Sequence, residues 1–192
     1  MRGGVGDARH SSDGGHLVDP SAAHIRHDGP VCLRYQRDAS PDVVPEHGDI
    51  EPVPSGTWER VRQGRGIAVL ALGTTVRTSP QAAETVAADG IDVTVVNCRF
   101  LRPYDDVTLQ TLLGQHRALL VVEERCVGNG FRAFMAATVV RLSPSVRVAA
   151  HGVPDRTTCA ASRPRQPAMA GLDAVGIAPR ARALHESEAI TG

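Results

Sequence analysis

Two adjacent glutamates, Glu123 and Glu124, are the side chains in this sequence that most resemble a catalytic pair. They follow the apolar run 118–122, so they lie at the carboxyl end of a predicted strand, where α/β sheets bind ligands. Two carboxylates at such a place could act as a general acid and a general base. Adjacent strand residues point to opposite sides, however, so we expect the two side chains to diverge and to have structural or interface roles.

The sequence Gly73-Thr74-Thr75 follows another apolar run and could offer backbone N–H groups to an anion at the start of a helix. The alternative is a tight turn followed by a helix cap, which we favour because short Gly-Thr loops are common connectors in such folds. His116 and His151 lie near the ends of predicted elements, with no nucleophile close in sequence. They are expected to be surface or capping residues.

Composition excludes several classes of function. The 21 basic residues are all arginine, and the absence of lysine excludes a Schiff-base mechanism and a phosphate loop built on its usual lysine. The 21 acidic residues bring the formal charge to zero, so no overall field favours nucleic acid or an anionic membrane surface. The widely separated cysteines argue against a zinc knuckle or a redox dithiol and fit a reduced cytoplasmic setting. They are Cys32, Cys98, Cys126 and Cys159.

No apolar run approaches the ~20 residues needed to cross a bilayer, and residues 1–7 lack the apolar stretch of a signal peptide. We therefore expect a cytoplasmic protein with no membrane partner. The chain has 192 residues and 42% hydrophobic content, which is enough for one buried core.

The patterns divide the chain into three parts. Residues 1–29 are rich in Gly, Ser, His and Asp without apolar periodicity, so they are predicted to be disordered. Residues 30–65 hold a short extended segment at 31–35 and a Pro-rich, acidic linker at 40–56. Residues 66–186 carry the apolar patterns of a folded domain.

Strands and helices alternate through this third part. The continuous apolar run 67–72 is typical of a strand buried on both faces of a parallel sheet. Thr78 or Ser79 can then cap a helix with Pro80 in its first turn, and Gly90 ends it. Further strands are predicted at 91–96, 118–122 and 146–150, and further helices after Pro103, at 129–142 and at 174–184.

Alternation at this interval implies right-handed crossovers and a mainly parallel sheet covered on both faces by helices. The predicted fold class is therefore a three-layer, doubly wound α/β domain. The final helix is its weakest element, since Gly176 and Pro179 are poor residues for a helix interior.

Several sequence motifs occur in a fixed order. They are Asp28-Gly29-Pro30 running into Tyr35-Gln36-Arg37, the run 93–103 around Arg99-Phe100, Glu123-Glu124 followed by Gly128-Asn129-Gly130-Phe131, and Gly152-Val153-Pro154-Asp155 followed by Gly171-Leu172-Asp173-Ala174-Val175-Gly176-Ile177. Together they resemble the end of the 1-deoxy-D-xylulose-5-phosphate synthases, thiamine diphosphate enzymes of the transketolase superfamily. The resemblance covers residues 28–184. It implies the end of a pyrimidine-binding domain at 30–65 and a domain like the transketolase C-terminal domain at 66–186.

The sequence also departs from the family pattern. Gln36 and Asp38 replace a proline and a glycine, Asn129 breaks a glycine pair, and Arg132 replaces a later glycine. Residues 157–160 stand where the family has an aromatic residue and a His-Gly pair. Roles of those family residues are therefore not carried over to this chain.

The resemblance implies a cofactor site that this sequence does not contain. Family members hold thiamine diphosphate and magnesium between two preceding domains, with a Gly-Asp-Gly motif and an activating glutamate. Only Gly6-Asp7-Ala8 and Gly48-Asp49-Ile50 come near that motif, and each lacks the second glycine. We therefore expect no catalytic residue, metal ligand or bound cofactor in this chain alone.

Arg37 is the substrate contact that the resemblance implies, because the family's arginine there binds a sugar phosphate and a guanidinium offers paired donors to phosphate oxygens. The alternative is a solvated arginine beside the linker, with Asp38 able to repel phosphate. A second hypothesis concerns packing, and pairs Arg99 with Glu123 or Glu124.

The leading functional hypothesis is a truncated or split synthase that is inactive alone. Its intact relatives condense pyruvate with glyceraldehyde 3-phosphate, releasing carbon dioxide, in isoprenoid precursor synthesis. This part would stabilise a homodimer, or associate with a chain carrying the thiamine domains, and shape the substrate end of the site. Alternatives are a non-catalytic domain that binds a full-length synthase or itself, a degenerate gene remnant and, ranked last, a stand-alone small-molecule binding protein.

Overall fold

The computed structural model describes residues 8–10, 32–34, 54–126, 130–154, 162 and 165–189. The strands are β1 Ala8–His10, β2 Cys32–Arg34, β3 Glu59–Arg62, β4 Ala68–Leu72, β5 Thr94–Asn97, β6 Phe100–Arg102, β7 Ala118–Cys126 and β8 Arg147–Val153. The helices are α1 Thr75–Ala87, α2 Asp106–Gln115, α3 Phe131–Leu142, α4 Gln166–Ala170 and α5 Ala174–Ala189. None of the helices in these ranges combines the length and apolarity required to traverse a membrane.

A five-stranded sheet in the order β3-β5-β4-β7-β8 forms the centre of the domain. The strands β5, β4, β7 and β8 are mutually parallel, and β3 is antiparallel to β5 at one edge. Every residue of the central strand β4 is buried, as expected for an apolar run covered on both faces. The predicted mainly parallel sheet is confirmed. The strand β3 was not predicted, and it lies between the linker expected at 40–56 and the domain expected to begin at residue 66.

Helices cover both faces of this sheet. Val69 and Ala71 point into a core built with α1 and α5, and Leu70 and Leu72 point into a second core built with α2 and α3. This alternation follows the two-residue period of a strand, which sends successive side chains to opposite faces. The three-layer, doubly wound α/β fold predicted from the sequence is therefore confirmed.

The start of α1 differs from the prediction. The helix begins at Thr75, and Pro80 is its sixth residue instead of lying in the first turn. The Thr75 hydroxyl fixes this start, because it accepts from the Leu72 N–H at 3.1 Å and lies 2.9 Å from the Leu72 carbonyl oxygen. The helix therefore begins directly after the strand, and Pro80 removes one backbone donor from its interior. Gly90 follows the end of α1 with a positive φ of 80°, as its predicted role requires.

The last helix, α5, is continuous through Gly176 and Pro179. Gly176 approaches the backbone of Gly171 so closely that a Cβ atom at position 176 would lie 2.3 Å from the Gly171 carbonyl oxygen. Glycine is therefore required here by tertiary contact, and this contact outweighs its poor helix propensity.

A small second sheet joins distant parts of the chain. Its order is β2-β1-β6, with β1 parallel to β2 and antiparallel to β6. β1 lies within residues 1–29, predicted to be disordered, and it is ordered by pairing on both of its sides. Composition could not indicate this, because backbone hydrogen bonds supply the pairing energy.

Candidate functional site

The crevice between the carboxyl ends of β4 and β7 is where this fold would be expected to bind a ligand. The connection after β4 runs through α1 to β5, and the connection after β7 runs through α3 to β8 on the opposite side. The next strand is therefore added on one side after β4 and on the other side after β7. The point between β4 and β7 is a topological switch point, where open α/β sheets bind their ligands.

Glu124 occupies one side of this crevice. Its Oε2 accepts a hydrogen bond of 2.8 Å from the Thr74 hydroxyl, the residue that precedes α1. Gly73 supplies the turn with a φ of 68°. The carboxylate of Glu124 thus lies beside the start of α1, where an anion would otherwise be attracted by the helix N-terminus. The arrangement is a turn and a helix start, and it would repel an incoming anion.

Glu123 is directed to a different helix. Its side chain is buried, and its Oε2 accepts a 3.1 Å hydrogen bond from the backbone N–H of Arg132 in the first turn of α3. Gly130, which precedes α3 with a φ of 94°, leaves room for this carboxylate, since a Cβ there would lie 2.8 Å from Oε2. Glu123 therefore caps α3 from across the sheet edge.

The two glutamates diverge to the N-termini of α3 and α1, as their alternation along β7 requires. A general acid and base must both reach one reacting group, and these carboxylates do not share a reachable position. Glu123 accepts from a backbone N–H of α3, whereas Glu124 accepts from the hydroxyl of the residue before α1, and these contacts hold the two carboxylates apart. The geometry is that of two helix anchors.

Arg99 lies away from both glutamates. Its Nε donates to the Thr57 carbonyl oxygen at 3.1 Å, and its Nη1 is 3.8 Å from Glu59 Oε2. The hypothesis that Arg99 pairs with Glu123 or Glu124 is wrong. Arg99 follows β5, which pairs with β3, and it contacts Thr57 before β3 and Glu59 at the first position of β3. It holds the start of the domain. Arg37, the predicted phosphate contact, lies outside the described residues, as do Gly6-Asp7 and Gly48-Asp49.

A network that the sequence analysis did not identify lies next to Arg99. Asp105 caps α2 by accepting from the Thr108 N–H at 2.9 Å, and its Oδ2 also accepts from the Trp58 backbone N–H at 2.8 Å. The Trp58 indole N–H donates to the Phe100 carbonyl oxygen at 2.9 Å. An Asp three residues before Thr108, at the start of an apolar helix pattern, was a usable capping signal. No sequence signal indicated the contacts with Trp58.

The two histidines have different surroundings. His116 follows α2 and is buried, with Nδ1 3.0 Å from the Gly66 carbonyl oxygen, so it is a capping residue but not a surface one. His151 in β8 is half-buried, with Nε2 2.6 Å from the Gly171 carbonyl oxygen. Burial lowers the pKa of His151, the hydrogen bond to Gly171 opposes this, and Arg180 and Arg132 lower the pKa further.

This lowered pKa predicts a pH-dependent stability. The unfolded chain binds a proton at His151 at higher pH than the folded chain, so the free energy of unfolding should fall as pH drops below the ordinary histidine pKa of about 6.5. His151→Gln keeps a donor for Gly171 without a titrating ring, so it should show a shallower loss. Urea denaturation at pH values of about 7.5 and 5.5 measures both proteins. Equal losses in the two proteins would contradict the prediction.

The residues at this edge do not fit a magnesium-bound diphosphate. Within the described ranges, no group of three or more His, Cys, Asp or Glu side chains is placed to hold a metal ion. The two acidic side chains at the crevice instead contact Thr74 and the first turn of α3. A diphosphate at this edge would meet their negative charge.

Comparison with known proteins gives a consistent result. A family model described as the transketolase C-terminal domain matches residues 56–177. The 1-deoxy-D-xylulose-5-phosphate synthases of Synechococcus strains JA-2-3B'a(2-13) and JA-3-3Ab are 35% and 37% identical to this chain, over 85% and 83% of its length. The matches cover 25% and 24% of those synthases, so the chain spans about a quarter of the length of these relatives.

Solved structures share the fold. A split-gene transketolase, described as an inactive tetramer of four beta chains, superimposes with a TM-score of 0.79 and 22% identity, over 94% of this chain and 57% of that chain. A transketolase mutant from Pichia stipitis gives a TM-score of 0.67 and 16% identity, over 94% of this chain and 25% of that one. At these identities the likeness concerns the fold alone.

Proposed function

The chain belongs to the transketolase C-terminal domain family, and we propose that it serves as the C-terminal part of a 1-deoxy-D-xylulose-5-phosphate synthase whose thiamine diphosphate site is built by other domains. On this proposal the chain does not catalyse alone. It stabilises the assembled enzyme and shapes the substrate end of its site. The assembled enzyme would join pyruvate to glyceraldehyde 3-phosphate in the cytoplasm, for isoprenoid precursor synthesis.

One observation carries the proposal. The crevice where this fold would bind a ligand contains two carboxylates that are committed to the N-termini of α1 and α3. An edge arranged in this way supports a structural role better than a catalytic one. Similarity to the synthases over 85% of this chain but 25% of the enzyme favours the same division of labour.

Reconstitution tests the proposal. The full chain is mixed with the thiamine-domain part of the Synechococcus sp. JA-2-3B'a(2-13) synthase, with thiamine diphosphate and magnesium, and carbon dioxide release from pyruvate is followed in the presence of the triose phosphate. We expect no turnover from the chain alone and turnover from the mixture. Turnover by the purified chain alone, or none above background in the mixture, would count against the proposal.

Arg37 gives this assay its specific variant. If Arg37 binds the substrate phosphate, Arg37→Ala should raise the KM for the triose phosphate by about tenfold or more while leaving the KM for pyruvate unchanged, because a charge-assisted phosphate contact is lost. Arg117→Ala, at an exposed position before β7, is the matched control and should change neither constant. Equal effects of the two variants on the KM for the triose phosphate would show that Arg37 does not bind the substrate phosphate.

A second candidate function is a non-catalytic domain that binds itself or a full-length synthase. The solved neighbour described as an inactive tetramer of one chain type favours this candidate. Light scattering after size-exclusion chromatography of the same mixtures separates the two. Association without any turnover supports the second candidate. A chain that is strictly monomeric and does not bind the synthase contradicts it.

A further inference from the structure

A partly exposed aromatic surface lies beside the start of α2. The Phe134 ring of α3 packs edge-on against the Tyr104 ring, with 5.5 Å between the ring centres, and the Arg102 guanidinium carbon lies 3.6 Å from the centre of the Phe134 ring. Tyr104 and Phe134 are only partly buried against the core that contains α2 and α3, and Arg102 is exposed. We call these three residues the aromatic surface.

The aromatic surface is fixed by contacts on its inner side. The Tyr104 ring lies 6.4 Å from the ring of the buried Trp58. Trp58 in turn donates from its backbone N–H to Asp105 and from its indole N–H to the Phe100 carbonyl oxygen. Side chains that are already held in one position lose little rotamer entropy when a ligand docks on them. The surface therefore presents two preorganised rings and one positive charge.

The chain enters the domain next to this surface. Pro54 is exposed and begins the described range 54–126. A Cβ atom at Gly56 would lie 3.0 Å from Cγ of Pro103, which stands in the sequence between two members of the aromatic surface. Residues 40–53 lie outside the described residues and are joined to the domain at this point. This covalent tether gives them a high effective concentration at the aromatic surface.

The segment that precedes Pro54 has a sequence suited to aromatic rings. Pro52 and Pro54 fix their own φ, and the residue before each proline is disfavoured in the α region. The sequence therefore favours polyproline II, whose three-residue repeat places Ile50 and Val53 on one side. Proline-rich segments in this conformation dock on aromatic-lined surfaces. The rings of the aromatic surface fit that mode of recognition.

Charge favours the same segment. Asp106 accepts a 3.3 Å hydrogen bond from the Tyr104 hydroxyl, so one end of the aromatic surface is negative and the Arg102 end is positive. An acidic ligand would lie with its carboxylates toward Arg102, because Asp106 would repel them. Residues 40–53 contain no arginine, and their acidic residues are Asp42, Glu46, Asp49 and Glu51.

We propose that residues 49–53 of this chain dock on the aromatic surface, with Ile50 and Val53 against the two rings and Glu51 beside Arg102. Ile50 and Val53 would lie about 9 Å apart in polyproline II, so they can cover two rings whose centres are 5.5 Å apart. Docking attaches the chain to the domain before Pro54 and thereby limits how far from the domain Arg37 can lie. This inference does not depend on the synthase activity.

Methyl NMR of the full chain with labelled isoleucine tests the proposal. The Ile50 methyl signal, assigned with Ile50→Val, should be shifted upfield by ring currents and should show NOEs to aromatic ring protons. Tyr104→Leu and Phe134→Leu each keep an apolar side chain and remove a ring, so the upfield shift should shrink. Val140→Ala, at a 55% exposed position of the same helix as Phe134, is the matched control and should leave the signal unchanged.

The core isoleucines show whether the ring variants fold. Ile67, Ile91 and Ile177 are buried, so their methyl signals should stay at their folded positions in each variant. A random-coil Ile50 methyl without aromatic NOEs in the wild-type chain would overturn the proposal. An upfield shift that is lost on dilution would place the segment of a second copy on the surface and would also contradict docking within one chain.

Charge reversal gives a second readout, which a merely structural role of Arg102 would not reproduce. Arg102→Glu and Glu51→Arg should each return the Ile50 methyl signal toward its random-coil position, because each places like charges together. The double variant re-forms the pair in the opposite sense and should restore the upfield shift. A double variant no better than the two single ones would contradict the placement of Glu51. None of these measurements requires turnover, so they stand apart from the reconstitution assay.

Discussion

Trp58→Ala should lower the free energy of unfolding by about 3 to 5 kcal/mol, the range for removing a buried aromatic side chain. Trp58 is 6% exposed, its ring packs edge-on against Phe131 at 6.0 Å, and its indole N–H donates to the Phe100 carbonyl oxygen. The substitution leaves a cavity and removes the indole N–H that donates to the Phe100 carbonyl oxygen. Urea denaturation followed by far-UV circular dichroism measures the change without needing tryptophan fluorescence.

Trp58→Phe separates the two contributions. It keeps an aromatic ring in the core and removes the indole N–H, so the expected loss is smaller, about 1 to 3 kcal/mol. The backbone hydrogen bond from residue 58 to Asp105 is available in both variants. If Trp58→Ala cost under about 1 kcal/mol, the side chain would not anchor the start of the domain as described.

Gly176→Ala should destabilise the domain by about 2 kcal/mol or more, although alanine is the better helix former. The added Cβ would lie 2.3 to 2.5 Å from the carbonyl oxygen, Cα and carbonyl carbon of Gly171. These are backbone atoms, so they cannot be relieved by a side-chain rotation. Strain therefore exceeds the gain in helix propensity. The midpoint of urea denaturation and the thermal midpoint should both fall.

Gly114→Ala is the matched control in another helix. Gly114 lies inside α2, and a Cβ there would have no atom within 4 Å. Only propensity then acts, so this variant should be stabilised by about 0.5 to 1 kcal/mol. Opposite signs for one substitution in two helices are the expected result. The same sign in both would show that contact with Gly171 does not decide the outcome.

The main sheet could be predicted because most of its strands coincide with local apolar runs in the sequence. The run at 67–72 predicted β4, and residues recurring at three- and four-residue steps predicted α3. The predicted start of α1 was wrong because the Thr75 hydroxyl is held by the carbonyl oxygens of Leu72 and Val122. Val122 is 47 residues away, so the local sequence does not indicate this contact. β3 and β1 were missed because strands of three or four residues depend on pairing more than on pattern.

The site was predictable in one respect only. The divergence of Glu123 and Glu124 follows from strand alternation, which sequence position alone provides. Their partners do not follow from it, because Thr74 is 50 residues away from Glu124. The same limit applies to Trp58, which is 47 residues from Asp105 and 42 from Phe100. Contacts at such separations are set by the topology of the whole sheet.

The Glu124–Thr74 contact has a consequence for screening and redesign. A phosphorylated metabolite that diffused to the mouth of the sheet would encounter a fixed negative charge instead of open helix amides. Anionic ligands are therefore disfavoured at that mouth of the sheet. Conversely, Glu124→Gln would remove this charge and leave the start of α1 more open to an anion.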